Sequence, residues 1–126
     1  MTEQTVLIRT DQRGVATVTL NNPEKHNAFD DQIIEELTAA FEQISKSKDV
    51  RVMILAATGK NFCAGGDLAW MKRMAHYSYD ENLKDSKALA KMFKTLNFLH
   101  VPTIARVQGA AFGGGVGLVS CCDMAV

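Results

Sequence analysis

The chain has 126 residues, of which 47% are hydrophobic, so it is long enough for one compact core and too short for two ordinary domains. Its 14 Lys and Arg residues balance its 14 Asp and Glu residues, so no net charge favours nucleic acid or an anionic membrane as a partner. Its three cysteines lack the spacing of a zinc site or a disulfide framework. We therefore expect reduced thiols, no metal site, no nucleic-acid partner and no membrane attachment.

The opening residues, MTEQTVLIRTDQRG, carry neither the basic region nor the long apolar region of a secretory signal peptide. No later apolar run reaches the length that a membrane-spanning helix needs. A cytoplasmic location is the resulting expectation.

The first part of the chain predicts a β-hairpin followed by a helix. Residues 6–8 and 15–20 are apolar runs on either side of the turn sequence DQRG, which predicts two paired strands. Pro23 ends the second strand, and Asp30 can cap a helix. The apolar residues of that helix recur on one face: Ile33, Ile34, Leu37, Phe41 and Ile44.

The next stretch predicts a strand, a glycine-rich loop and two helices. Residues 52–57 form an apolar run that is suited to a buried strand, and residues 58–66 form the loop that follows it. Asp67 can cap the helix after the loop. Apolar residues of the two helices are Leu68, Trp70 and Met71 in the first, and Leu89, Met92, Phe93 and Leu96 in the second.

The last part of the chain repeats the alternation of strand and helix. Residues 103–107 predict a strand, residues 116–122 a helix of small side chains, and residues 124–126 the start of another strand. This alternation predicts an α/β fold. A strand at the last residue would leave apolar surface uncovered, so we expect the domain to continue beyond residue 126.

Two glycine-rich loops, residues 62–68 (FCAGGDL) and 109–115 (GAAFGGG), each lie between a predicted strand and a predicted helix. Glycine permits positive φ and close approach of a ligand, and a helix N-terminus adds N–H groups and a positive dipole end. A tight turn or close helix packing explains one such loop equally well. Two loops after neighbouring strands can converge on one oxygen atom, which is what an oxyanion hole requires.

Other catalytic motifs fit this sequence poorly. The glycines at 113–117 do not form a dinucleotide-binding fingerprint, and the chain contains no phosphate-binding GKS or GKT and no G-x-S-x-G elbow. Cys63 lies beside the first loop, but no positioned His or Asn accompanies it as a nucleophile would need. The three histidines, His26, His76 and His100, lack metal-ligand spacing.

Residues 21–29 (NNPEKHNAF), 62–68 and 109–115, in this order and spacing, resemble the enoyl-CoA hydratase/isomerase (crotonase) superfamily. The resemblance covers essentially the whole chain. It implies a spiral of ββα units (the ClpP/crotonase fold) that assembles into homotrimers or dimers of trimers. Members of the family are longer, so we expect residues 1–126 to be the N-terminal part of one spiral domain whose C-terminal part is absent from this chain.

The resemblance also implies where an acyl-CoA substrate would bind. The two N–H groups of the family's oxyanion hole fall on Gly66 and Gly114, which would hold the thioester oxygen as it becomes an enolate. Asp67 is equally well explained as a helix cap alone, and Lys25 as a solvated loop cation. No cofactor is implied beyond the coenzyme A of the substrate. The implied CoA contacts are Lys25, Ala28, Ala64, Gly65, Asp67 and Leu68.

The carboxylates of a hydratase are missing from the expected positions. Hydratases of this family use two glutamates as acid and base near the bound water. The first is expected three residues after the oxyanion glycine, where this chain has Gly117, and the second is expected beyond Val126. The glutamates Glu35, Glu36, Glu42 and Glu81 are predicted on exposed helix faces or starts and do not replace them. We expect this chain alone to be poorly active or inactive.

The function implied is that of an enoyl-CoA hydratase or lyase acting on a 2,3-unsaturated acyl-CoA. Residues 65–71 and 112–124 look most like the branch with methylglutaconyl-CoA and isohexenylglutaconyl-CoA hydratases, so a branched 3-methylglutaconyl-type thioester is one candidate substrate. Alternatives are an isomerase, decarboxylase or thioesterase of the same fold, a non-catalytic CoA-binding or assembly module, and a structural fragment that folds only by trimerising.

Overall fold

The computed structural model describes residues 4–126, which form one five-stranded sheet with helices. The strands lie side by side in the order of the sequence. The first two strands are antiparallel, and each later pair of neighbours is parallel. The strands are β1 (Val6–Thr10), β2 (Val15–Leu20), β3 (Val52–Ala57), β4 (Thr103–Ala105) and β5 (Met124–Ala125). The helices are α1 (Asp31–Lys46), α2 (Leu68–Met74), α3 (Tyr79–Asn97) and α4 (Gly114–Ser120), with a 3₁₀ turn at Pro23–Lys25. The predicted α/β class is confirmed.

The predicted hairpin is present, and its turn depends on Gly14. The N–H of Gly14 donates to the carbonyl oxygen of Asp11 at 3.1 Å, and Gly14 has a φ of 84°, which glycine adopts without a steric penalty. A Cβ at this position would lie 2.6 Å from the carbonyl oxygen of Asp49. The turn is therefore packed against the loop that leads into β3.

The core lies between the sheet and α1. Inward-facing residues of β2 alternate with half-buried ones, as a sheet with one covered face requires. Asp30 caps α1 as predicted, because its carboxylate accepts from the N–H of Ile33 at 2.9 Å. Fully buried residues that fill this layer include Ala16, Val18, Ile34, Leu37, Phe41, Met53 and Leu55. Burial of one such large apolar side chain contributes roughly 1.5–3 kcal/mol.

Three predictions about the strands and helices need correction. The apolar run of β3 is not buried on both sides, since Val52 and Ile54 are half-buried on the face opposite the core. β4 is shorter than predicted and ends at Ala105. The helix predicted at residues 116–122 is α4, which spans Gly114–Ser120. The N–H groups of Gly115 and Val116 donate to the carbonyl oxygens of Phe112 and Gly113, and these bonds outweigh the weak helix propensity of glycine. Within residues 4–126, no helix combines the length and the apolarity needed to cross a membrane.

Leu37→Ala should lower the free energy of unfolding by about 2–5 kcal/mol, because it leaves a cavity at a fully buried position of α1. Denaturant unfolding followed by circular dichroism measures this change. Glu35→Ala, at an exposed position of the same helix, is the control and should change the free energy by less than about 0.5 kcal/mol. Equal effects of the two substitutions would contradict the assigned core face of α1.

Candidate functional site

The two glycine loops lie side by side and are joined by backbone hydrogen bonds. The N–H of Phe112 donates to the carbonyl oxygen of Cys63 at 3.0 Å, and the N–H of Phe62 donates to that of Ala110 at 2.9 Å. Cys63 and Ala111 are thereby paired as in a short parallel ladder. The two loops are therefore direct neighbours in the structure, as strands in adjacent positions of the sheet lead one to expect.

A third segment pairs with the other side of the first loop. The N–H of Phe29 donates to the carbonyl oxygen of Gly65, and the N–H of Asp67 donates to that of Phe29, both at 2.8 Å. In a parallel pairing of this kind the residue between the two bonds turns its own N–H away from the partner. That residue is Gly66.

Gly65 brings the two loops into contact. Its φ of 94° lies in the region that favours glycine, and a Cβ there would lie 2.8 Å from the carbonyl oxygen of Phe112. The same Cβ would lie 3.3 Å from the backbone nitrogen of Gly114. A side chain at 65 would push the loops apart, and with them the nitrogens of Gly66 and Gly114.

The N–H groups of Gly66 and Gly114 have no hydrogen-bond acceptor among residues 4–126. In the first turn of α4, Gly115 donates to the carbonyl oxygen of Phe112 at 2.8 Å and Val116 donates to that of Gly113 at 3.0 Å. Gly114 is left as the free donor of that turn. Both free donors belong to half-buried residues, so a ligand can reach them. The structure thus brings the two predicted oxyanion donors together, while their role stays a prediction.

Asp67 does cap a helix, as the alternative interpretation proposed. Its carboxylate accepts from the N–H of Trp70 at 2.9 Å at the start of α2. The other oxygen lies 3.7 Å from the Nζ of Lys25, whose side chain is 62% exposed. Because Lys25 is mostly in solvent and this separation is longer than a hydrogen bond to the buried carboxylate, the Lys25 ammonium remains available to a ligand at the surface.

The predicted CoA contacts lie in the first loop and in the segment beside it, and Gly65 and Asp67 are buried. The carbonyl oxygen of His26 accepts from the N–H of Ala64 at 3.0 Å, which sets the segment around Lys25 and Ala28 against that loop. Ala28 is itself buried, so it can offer a ligand little more than backbone. Leu68 is 74% exposed in the first turn of α2. The contacts themselves stay predictions.

An aromatic ring faces the position where the resemblance expects the first glutamate. A Cβ at Gly117 would lie 2.9 Å from the Cε1 and Cζ atoms of Phe93, a half-buried residue of α3. No carboxylate stands there, and the neighbouring surface is apolar. The helical pattern placed Phe93 on the core face of α3, but nothing in the sequence indicated its contact with Gly117.

The four glutamates of the helices lie outside the site. Glu35 and Glu81 are exposed as predicted. Glu36 and Glu42 are half-buried instead, because Glu36 accepts from the hydroxyl of Thr5 and Glu42 pairs with Lys91 at 3.2 Å. Neither contact involves the glycine loops, so the prediction that these residues do not replace the missing acid and base is unaffected.

Cys63 is fully buried and supports the first loop. The N–H of Gly65 donates to its Sγ at 3.4 Å. Burial raises the pKa of the Cys63 thiol, with a smaller opposing effect from that hydrogen bond. A protonated, inaccessible thiol agrees with the prediction that Cys63 is not a nucleophile.

Sequence reasoning gave no role to Phe29 and Asn27 at the loops, and it named Met71 as an apolar residue of α2. The ring of Phe29 lies against the Cα of Gly114, where an added Cβ would overlap it. Met71 lies beside Gly66, with its Sδ 3.5 Å from the position of an added Cβ. Asn27 is buried next to the first loop. Phe29 and Asn27 fall inside the family-like segment, but residue type alone gave neither a role.

Comparison with known proteins identifies the family of this chain. A family model described as "Enoyl-CoA hydratase/isomerase" matches residues 10–126. The chain belongs to this family. Its relatives include an enoyl-CoA hydratase of Alternaria alternata, 33% identical over 91% of this chain and 37% of the relative. Another is the mitochondrial Delta(3,5)-Delta(2,4)-dienoyl-CoA isomerase of Mus musculus, 34% identical over 96% of this chain and 39% of the relative.

Solved structures of the family have the same fold. An enoyl-CoA hydratase of Shewanella pealeana superposes with a TM-score of 0.93 at 39% identity, covering 97% of this chain and 46% of that one. An enoyl-CoA hydratase of Mycobacterium smegmatis gives 0.90 at 37% identity, covering 98% and 47%. The predicted crotonase-like α/β fold is confirmed. The chain spans less than half the length of each of these relatives.

Cys63 should resist alkylation by iodoacetamide in the folded protein at about pH 8 and react fully after unfolding in guanidinium. Because its pKa is raised, the thiolate appears in the folded state only as the pH rises through that higher pKa. Peptide mass spectrometry measures labelling at each cysteine. Cys121 is less buried and should react sooner, whereas burial raises the pKa of Cys122 to about 11. Labelling of Cys63 as fast as Cys121 would contradict its placement.

Proposed function

We propose that the protein carrying this chain binds an acyl-CoA thioester and stabilises its enolate with the N–H groups of Gly66 and Gly114. The observation that supports this most directly is the pair of unpaired N–H groups on two loops in contact. When water adds to C3 of a 2,3-unsaturated thioester and gives a proton to a base, the electron pair of the double bond moves towards the thioester oxygen as an enolate, which then takes a proton at C2. Each fixed N–H donor aimed at that oxygen contributes about 10²–10³ in kcat.

The surroundings of the two donors favour this chemistry. Backbone bonds hold the peptide on either side of Gly66, so its N–H needs little reorganisation when charge develops. Apolar side chains of Phe29 and Met71 flank the donors and lower the local dielectric, which strengthens each dipole. Exposed apolar side chains nearby, Leu68 and Phe112, are suited to contact an acyl chain or further parts of the protein.

The finer parts of the proposal concern the substrate and the reaction. Coenzyme A would lie along the backbone of residues 64–68 with Lys25 at its edge, and no cofactor is needed beyond it. The acyl group would be 2,3-unsaturated, with a branched 3-methylglutaconyl-type chain as the candidate and hydration as the reaction. Because Gly117 supplies no carboxylate, a group outside residues 4–126 would activate the water. Assembly as a homotrimer or a dimer of trimers and a cytoplasmic location complete the proposal.

The contact between Gly117 and Phe93 favours a second candidate. With an aromatic ring where the acid of a hydratase is expected, the same two donors can serve a reaction that does not need that acid. Isomerisation or decarboxylation would pass through an enolate, and thioester hydrolysis would pass through a tetrahedral oxyanion. A third alternative is a non-catalytic module that binds CoA thioesters and converts none of them. Turnover on a panel of saturated, 2,3-unsaturated and branched thioesters separates these possibilities, because a module binds members of the panel and converts none.

Gly114→Pro tests the enolate proposal, because proline removes the N–H of the first helical residue. Gly114→Ala is the matched control, since it adds the same Cβ against the Phe29 ring and keeps the donor. We expect the proline variant to have a kcat about 10²–10³ lower than the alanine variant. Turnover is measured on the best substrate of the panel, with thioester binding followed by calorimetry. Equal kcat values for the two folded variants would refute the oxyanion role, and no binding at millimolar thioester would refute the proposed function.

Gly117→Glu should not by itself turn this chain into an efficient crotonyl-CoA hydratase. One acid-base group contributes about 10²–10⁴-fold only when it is correctly placed, and the Phe93 ring occupies the space that the new side chain needs. The fall in enoyl-thioester absorbance measures hydration. The double variant Gly117→Glu with Phe93→Ala has room for the carboxylate and should exceed both single variants. Fast hydration by Gly117→Glu alone would show that the ring is no obstacle.

A further inference from the structure

The side-chain amide of Asn27 is buried and fully hydrogen-bonded. Asn27 is 2% exposed, and its Oδ1 accepts from the N–H of Asn22 at 2.7 Å. Its Nδ2 donates to the carbonyl oxygens of Thr58 at 2.7 Å and Asn61 at 3.0 Å. One side chain therefore ties the segment after β2 to two points of the loop that leaves β3. A buried amide is costly unless all of these bonds form, so the arrangement specifies one geometry.

The backbone around Asn27 has a conformation that few residues adopt. His26 and Asn27 have φ values of 55° and 57°, and both are non-glycine residues in the left-handed region. Such residues persist only where their surroundings hold them. The consequence here is that the His26 carbonyl oxygen faces the first glycine loop and accepts from the N–H of Ala64 at 3.0 Å.

Further hydrogen bonds of the 26–29 segment hold the peptide that carries the Gly66 N–H. Asn27 fixes residues 58 and 61, the His26 carbonyl fixes Ala64, and Phe29 bonds on both sides of Gly66. Hydrogen bonds to residues 58, 61, 64, 65 and 67 thus join the 26–29 segment to the stretch between β3 and α2. The direction of the Gly66 N–H depends on where that segment lies.

We propose that Asn27 is a positioning residue for the oxyanion hole: its buried amide holds the segment that aims the Gly66 N–H at the thioester oxygen. This inference rests on the proposed function and goes beyond it, because Asn27 touches no substrate. Its loss should rotate or loosen the donor, and it should also weaken thioester binding, because the segment that the amide holds carries the proposed CoA contacts Lys25 and Ala28. We expect the larger effect on the polarisation of the bound carbonyl, because that polarisation depends on the direction of the Gly66 N–H.

Two substitutions at Asn27 separate positioning from simple loss of stability. Asn27→Asp keeps the shape and the acceptor for Asn22, but turns an oxygen towards the carbonyls of Thr58 and Asn61. Asn27→Gly deletes the amide and adopts positive φ without penalty, so the turn itself is favoured. Leu37→Ala is the control, since it destabilises the core at α1 without touching either loop.

The measurement is the infrared band of a thioester labelled with ¹³C at its carbonyl, recorded at saturating ligand and below the unfolding temperature. Donors in an oxyanion hole polarise the carbonyl and lower its stretching frequency. We expect the protein without substitutions (the parent) and its Leu37→Ala variant to show the full shift of the carbonyl band. Both Asn27 variants should still bind the thioester at saturating concentration, lose much of the shift and have a kcat about 10²-fold lower, with a smaller change in KM.

A parent-like band in a folded Asn27 variant would overturn the positioning role, and a lost shift in Leu37→Ala would show that any destabilisation has the same effect. If Asn27→Asp does not fold, Asn27→Gly decides the question. If the parent binds no thioester, the proposed function fails first and this inference with it. If the parent binds with a shifted band that both Asn27 variants retain, only the inference fails.

Discussion

Edge-to-edge hydrogen bonding of three chain segments is the constraint on which the candidate site depends. Phe29, the first glycine loop and the second glycine loop form a short parallel ladder beyond the ends of β3 and β4. Each pairing uses the N–H groups of some residues and turns those of their neighbours outward. The free donor at Gly66 is thus a product of this pairing, the one at Gly114 is a product of the start of α4, and no catalytic side chain is needed to create either.

The glycines make this pairing possible by allowing close contact. An added Cβ would meet the Phe112 carbonyl at Gly65, the Phe29 ring at Gly114 and the carbonyl of Cys63 at Gly115. Only Gly65 of these three requires a positive φ as well. Segments that approach this closely exclude solvent, which makes fixed dipoles more effective than they are in water. The close packing of the segments and the proposed chemistry therefore both favour glycine at these positions.

Within residues 4–126, the site has two free N–H donors, at Gly66 and Gly114, and no carboxylate at Gly117. Gly117 lets α4 pack against the ring of Phe93, so the absence of a carboxylate is linked to how α3 and α4 meet. The chain spans less than half the length of its hydratase and isomerase relatives. Family membership, fold and the two free donors are consistent with each other.

The sequence by itself determined the α/β class, the hairpin, the cap and core face of α1, and the two loops that follow neighbouring strands, because periodicity, capping and glycine chemistry are local. The start of α4 at Gly114 and the half-buried face of β3 depend on neighbouring segments. The sequence placed the start of α4 too late, and it predicted a strand that is buried throughout. Only the tertiary structure decided that Phe93 fills the space beside Gly117 and that the amide of Asn27 bridges to residues 58 and 61. These contacts join residues far apart in the chain, and no local pattern specifies which distant groups a fold brings within bonding distance.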